Sequence, residues 1–109
     1  MVRGTTPTIT LRIKERYNVD LNEAINIYFT VSQGHFCVTK TGEDVAISED
    51  GKSAGAYLTQ EESMELSDKV PGKAQLNWTY IDASGVVKRG ATVAKEFDVG
   101  EQLYRKVIE

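Results

Sequence analysis

Cysteine and histidine each occur once in this 109-residue sequence, as Cys37 and His35. A single thiol forms no intramolecular disulfide, so the fold must be held by packing, which suits a reducing cytoplasm or an assembled particle. Metal sites of the usual kinds need several His or Cys ligands. Residues two apart on a rigid strand also make a poor nucleophile–base pair. We therefore expect no metal and no Cys-His catalysis, and we interpret Cys37 as a small, partly buried apolar residue.

Long apolar runs and a basic excess are also missing. No run approaches the ~20 residues that span a bilayer, and residues 1–7 lack the apolar segment of a signal peptide. The 13 basic residues are scattered and are outnumbered by 16 acidic ones. Proteins that bind nucleic acid through its phosphates normally show a concentrated basic footprint. We expect neither a membrane nor a nucleic-acid partner, and no export by a signal peptide.

Alternation of apolar and polar residues with period two is the dominant pattern of the sequence. Ile9, Leu11 and Ile13 alternate with polar residues, which is typical of a half-buried strand. The same reasoning predicts strands over 8–14, 24–32, 35–41, 45–47, 54–58, 73–81 and 86–99. The last strand is expected to be broken or bulged near Gly90, since an isolated glycine in a strand often marks such a point.

One segment breaks the alternation and predicts a short helix over residues 60–66. Thr59 followed by Glu62 is the pattern of a capping box. About seven strands in about 100 residues, with frequent turns, indicate an all-β, immunoglobulin-like β-sandwich with this helix as a crossover. A small β-barrel is the alternative. We expect one domain over 1–109, with residues 1–7 as an extended arm and 101–109 as a frayed tail.

The candidate phosphate-binding and calcium-binding motifs of the sequence are incomplete. The triplet 51–53 reads Gly-Lys-Ser, but a P-loop needs glycine where this chain has Ala46. Asp44, Glu49 and Asp50 crowd two turns without the spacing of a calcium loop. Acidic residues at the start of the helix are already favoured by the helix dipole. We therefore predict no catalytic residues, no cofactor and no enzymatic activity.

Aromatic residues offer the remaining candidates. Trp78 shares its alternating face with Leu76 and Tyr80, which favours a core tryptophan over a platform for stacking sugars. Tyr28 and Tyr57 lie opposite the main apolar sets of their strands. If exposed, they are candidates for a contact surface, because tyrosine combines apolar area with a polar tip.

Three short stretches resemble a known group of proteins. They are Arg-Gly-Thr-Thr-Pro-Thr at 3–8, Leu-Thr-Gln-Glu-Glu at 58–62 and Ala-Gln-Leu-Asn-Trp at 74–78. Their order resembles small prophage-encoded proteins of Gram-positive gut bacteria. Those proteins are similar in turn to the immunoglobulin-like N-terminal domain of upper baseplate proteins of tailed phages. The resemblance implies a structural or assembly protein and transfers no catalytic residues.

These observations leave two main hypotheses. The first is a non-enzymatic phage tail or baseplate protein that contacts other tail proteins or itself as a homo-oligomer, in the virion or the host cytoplasm. It predicts exposed apolar or edge-strand surface. The second is a small ligand- or carbohydrate-binding sandwich, which predicts Trp78 or two tyrosines lining a shallow groove. An enzyme would instead need groups with perturbed pKa values converging in a cleft.

Overall fold

A computed structural model describes residues 1–2, 5–14 and 17–100. Eight strands and one α-helix, α1 (Gln60–Met64), are formed by these residues. The strands are β1 (Thr8–Arg12), β2 (Asn26–Gln33), β3 (Phe36–Thr41), β4 (Ala46–Ile47), β5 (Ser53–Tyr57), β6 (Gly72–Ile81), β7 (Val87–Ala91) and β8 (Lys95–Phe97). Two single-turn 3₁₀ helices, Leu21–Glu23 and Gly42–Asp44, precede β2 and β4.

The strands form two antiparallel sheets. The small sheet has the order β1-β5-β4, and the large sheet has the order β3-β2-β6-β7, with β8 paired to β6 on the β7 side. Along the chain, β1 belongs to the small sheet, β2 and β3 to the large sheet, β4 and β5 to the small sheet, and β6 to β8 to the large sheet. The chain therefore crosses between the sheets three times. Helix α1 lies in the last of these crossings. The predicted all-β sandwich with one short crossover helix is confirmed, and the crossing pattern agrees with an immunoglobulin-like arrangement.

Alternating residues of both sheets make the core. Phe29 and Leu76 of the large sheet and Ala54 of the small sheet are completely buried, and Leu11 of the small sheet is nearly so. The period-two pattern therefore identified the inner faces correctly, because successive side chains of a strand point to opposite sides.

Two apolar residues that the alternation placed with the core are exposed. Ile25 precedes β2 and remains 51% exposed, whereas Val93 lies between β7 and β8 and is 87% exposed. Each lies outside a strand, where no opposing sheet face covers the side chain. The alternation was right within the strands and wrong just beyond their ends.

The predicted last strand is broken into two strands near Gly90, as expected, and the break at residues 92–94 begins two residues after this glycine. Thr92 ends β7 by exchanging bonds with Leu76: its N–H donates to the Leu76 carbonyl at 2.9 Å, and its Oγ1 accepts the Leu76 N–H at 3.1 Å. Gly90 instead pairs in register with Trp78. A Cβ on Gly90 would lie 2.5 Å from the indole atoms Cε2 and Cζ2. The glycine therefore makes room for the indole and does not break the strand.

Helix α1 begins with the predicted capping box. Thr59 Oγ1 accepts the Glu62 N–H at 3.2 Å, and Glu62 Oε1 accepts the Thr59 N–H at 2.8 Å. The helix ends at Met64, two residues before the predicted end. Buried Leu66 then anchors the following loop in the core.

Segment 1–7, predicted as an extended arm, contacts the body of the domain at its described residues. Val2 forms a parallel bridge with Gly100, and the amino group of Met1 donates to the Asp98 carbonyl at 2.9 Å. Farther along, the Pro7 carbonyl accepts the Leu58 N–H at 3.0 Å. The predicted tail at 101–109 lies outside the described residues.

Replacing Gly90 with alanine is expected to destabilise the protein by about 1–3 kcal/mol, because the new methyl group overlaps the indole of Trp78. The free energy of unfolding in urea, followed by the fluorescence of this single tryptophan, measures the effect. Arg89→Ala is the control, since the neighbouring side chain is exposed and its loss should change stability by less than about 0.5 kcal/mol. Equal stability of both variants and the wild type would contradict the packing described.

Candidate functional site

Both tyrosines selected from the sequence are exposed, Tyr28 by 40% and Tyr57 by 54%. Tyr28 follows Ile27 and precedes buried Phe29 in β2, so its side chain points to the outer face of the large sheet. Tyr57 follows buried Ala56 in β5 and points to the outer face of the small sheet. Because the outer faces of a sandwich point in opposite directions, the structure does not bring these two rings onto one surface.

Tyr57 adjoins a charged pair at the start of α1. Lys40 Nζ donates to Glu62 Oε1 at 2.7 Å and lies 5.9 Å from the centroid of the Tyr57 ring. Both charged side chains are largely covered, with 16% of Lys40 and 22% of Glu62 exposed. This pair joins the edge strand β3 to α1, and the same Lys40 ammonium lies over Tyr57 of β5 in the small sheet.

Competing effects act on the pKa of Glu62. Burial is the largest single effect and raises this pKa. The Lys40 ammonium and the Thr59 N–H, which both donate to the carboxylate, together outweigh burial, so the pKa of Glu62 is lowered overall. The carboxylate is thus stabilised by the same contacts that cap the helix.

Exposed apolar side chains gather at the far end of the β6–β7 hairpin. Ile81 is 57% exposed, Val86 is 52% exposed and Val87 is 49% exposed. Ile81 and Val87 are cross-strand partners and so lie side by side on the outer face. We call these three residues the hairpin end. A cluster of this kind on one element is more informative than isolated exposed apolar residues.

A first cleft of about 540 Å3 opens between the end of β1 and strand β7. Trp78 lines it but is only 8% exposed, whereas Tyr17 at its rim is 51% exposed. Two basic side chains belong to the lining, Lys14 and Arg12, and the Arg12 guanidinium is paired with Asp50 at 3.2 Å. No pattern in the sequence pointed to Tyr17, because this residue lies in a polar loop without periodicity.

A second cleft of about 490 Å3 lies on the opposite side of the same end, beside β3 and β4. Exposed Ile25 lines it together with Val45 and Ile47, and Gly42 marks the 3₁₀ helix Gly42–Asp44 at its rim. Asn22 of the other 3₁₀ helix fixes the floor by donating to the carbonyls of Ser48 and Glu49. The two clefts thus differ in charge as well as in position.

The turn acids have structural partners. A hydrogen bond from the Ser48 hydroxyl, aided by the Lys52 N–H, lowers the pKa of Asp50 to about 2. The Lys88 ammonium and the Val86 N–H lower the pKa of Asp82 in the β6–β7 turn. Neither carboxylate lines either of the two clefts. These shifts are those expected of turn-stabilising carboxylates.

The other sequence candidates are dispersed. Gly51 has φ of 69° in the β4–β5 turn, so residues 51–53 enter a strand and not a helix. Cys37 is exposed on β3, contrary to the expected partial burial, because it points to the outer face of an edge strand. Within the described part of the chain, no group of three or more His, Cys, Asp or Glu side chains could hold a metal ion.

Comparison of the chain with models of known protein families, with curated proteins and with solved structures found no match. No helix in the described ranges is long and apolar enough to cross a membrane. The surface features of the fold, namely the hairpin end, the two clefts and the exposed tyrosines, therefore carry the information about function.

Glu62→Gln is expected to destabilise the protein by about 1 kcal/mol at pH 7, because the charged acceptor shared by Lys40 and Thr59 is lost. The folded-state pKa of Glu62 is lowered, so its stabilising effect is present above the ordinary glutamate pKa. It disappears as the pH falls through the folded-state value. Urea unfolding of both proteins at pH 7 and pH 3 should show a smaller difference at pH 3.

Glu61→Gln is the matched control, because Glu61 lies in the same turn but is exposed. Its effect should be small at both pH values. A destabilisation by Glu62→Gln that is identical at pH 7 and pH 3 would show that the charge of Glu62 is not what stabilises the cap.

Proposed function

We propose that this chain is a non-enzymatic structural protein of a phage or prophage particle, associated with the tail or baseplate and acting through protein–protein contacts. The carrying observation is the hairpin end, where Ile81, Val86 and Val87 are each about half exposed. Burial of such a cluster against a partner removes apolar area from water and favours association. The motif resemblance at 3–8, 58–62 and 74–78 supports the phage setting.

Its site of action under this proposal is the virion tail or, before assembly, the cytoplasm of the bacterial host. The partners are other tail or baseplate proteins or further copies of the chain. The edge strands β3 and β7 add backbone groups that a partner strand can pair with. These features support a contact function and require no reaction at the protein surface.

Particles purified from an induced lysogen that carries the gene should contain this chain in a fixed ratio to the tail proteins. Quantitative mass spectrometry of density-purified particles measures that ratio. The double variant Ile81→Thr/Val87→Thr should be depleted from particles by about tenfold, because interface residues at a contact centre dominate affinity. Its folded stability should change little, since both residues are exposed.

Thr8→Ala/Thr10→Ala is the matched control on the outer face of the small sheet, where both threonines are exposed. This variant should enter particles like the wild type. Absence of the wild-type chain from purified particles would refute the phage-structural proposal.

A second candidate function is the binding of a small ligand or carbohydrate in the first cleft. The favouring observation is that Tyr17 and Trp78 both line this cleft, whose volume of about 540 Å3 lies within the range of ligand pockets. Because Trp78 is largely covered, stacking on a sugar ring would fall mainly to Tyr17.

Titration with a panel of soluble oligosaccharides, followed by the fluorescence of Trp78, tests this candidate. A saturable signal that Tyr17→Ala removes and Tyr57→Ala preserves is the result expected of a binding cleft. An unchanged signal across the whole panel would eliminate carbohydrate as the ligand.

A further inference from the structure

The two edges of the large sheet run in opposite directions. Strand β2 is antiparallel to both β3 and β6, and β6 is antiparallel to β7. Strand β3 therefore runs with β6, and β7 runs against both. A second copy placed beside the first in the same orientation brings β7 of one copy next to β3 of the other as an antiparallel pair. Antiparallel edges of this kind are suited to pairing between chains.

Charged residues lie next to two edge positions that are level with each other in the sheet. Asn77 pairs with Tyr28 on one side and with Ala91 on the other, and Tyr28 pairs in turn with Thr41. Thr41 and Ala91 are therefore level with each other at opposite edges. Towards the hairpin end, Glu43 and Asp44 follow Thr41 along the chain, whereas Arg89 and Lys88 precede Ala91.

Three of these four charged side chains are unengaged within the described part of the chain. Glu43, Asp44 and Arg89 are exposed and form no hydrogen bond or ion pair there, whereas Lys88 is paired with Asp82 at 2.9 Å. An acidic pair thus follows edge strand β3, and Arg89, without a partner among the described residues, lies on edge strand β7. Opposite charges on two surfaces attract each other when those surfaces meet.

Apolar groups accompany the charges on both edges. The second cleft, with Ile25 51% exposed, adjoins the acidic 3₁₀ helix Gly42–Asp44. Val87, 49% exposed, and Val93, 87% exposed, lie on and just after β7. Each edge therefore carries the apolar and charged features that complement the other.

We infer that a second copy of this chain is the partner of these edges, with β7 of one copy docked beside the 3₁₀ helix Gly42–Asp44 and the second cleft of the next. The inference rests on the proposed contact function and names its partner. Two β7 edges facing each other would bring Lys88 and Arg89 of both copies together, which is unfavourable. The contact is therefore heterologous and builds a ring or a filament.

Charge reversal tests the contact by sedimentation velocity, from about 10 μM to about 1 mM, a range that covers weak association. The average mass of the wild type should rise with concentration. Arg89→Glu alone, and Glu43→Lys/Asp44→Lys alone, should each weaken association at least about tenfold, since each places like charges across the contact. An equimolar mixture of the two variants should associate again, because each offers the edge that the other needs.

The triple variant Glu43→Lys/Asp44→Lys/Arg89→Glu should also associate by itself, which separates charge complementarity from any loss of folding. Lys69→Glu and Glu65→Lys, at exposed positions outside β3, β7 and the 3₁₀ helix Gly42–Asp44, are the controls and should behave like the wild type. A wild type that remains monomeric over the whole range would overturn the inference. So would single reversals that associate like the wild type, or a mixture that does not recover.

Failure of this inference is distinguishable from failure of the proposed function. A chain that is monomeric in solution but present in purified particles binds other tail proteins and not itself. If the chain self-associates through these edges but is absent from particles, the inferred contact stands and the phage-structural proposal is refuted.

Discussion

The contact between the indole of Trp78 and the backbone of Gly90 holds the β6–β7 hairpin in its place. The two residues pair across the strands, and the missing side chain of Gly90 is what allows the indole to lie there. The same indole lines the first cleft. Strand β7, the hairpin end and the cleft all follow from this packing, because a displaced indole would force β7 away from β6. The features relevant to binding thus depend on a core contact.

Within the described residues, the surface features of the sandwich differ in where they lie, and no group of metal-binding side chains is among them. Acids at Asp50 and Asp82 complete turns, and Glu62 caps α1 while pairing with Lys40. Their lowered pKa values reflect these local bonds, so they stay ionised as structural groups. At the edges and one end of the large sheet, exposed charges such as Glu43 and Arg89 lie near exposed apolar side chains such as Val87. This distribution supports the proposed contact function.

Much of the fold was predictable from alternation and local signals. Strand periodicity located the inner faces because a side-chain period of two is inherent in a strand. Thr59 and Glu62 indicated where the helix begins, because the hydrogen bonds of a capping box form between residues close in sequence. The break near Gly90 was expected, but the role of this glycine was not, because the sequence shows a missing side chain and not the indole that occupies its place. Ile25 and Val93 were misplaced because alternation does not show where the opposing sheet ends.

The candidate site was less accessible from sequence. Exposure of Tyr28 and Tyr57 followed from alternation, but alternation within one strand says nothing about which sheet the strand joins. Sequence alone therefore determined the strands, the cap, the turns and the inner face of each strand, because these depend on neighbours along the chain. Tertiary structure decided which strands pair, that the tyrosines face apart, and that Thr41 and Ala91 lie level on opposite edges. Those relations hold between residues far apart in sequence, and only the pairing of strands sets their relative positions.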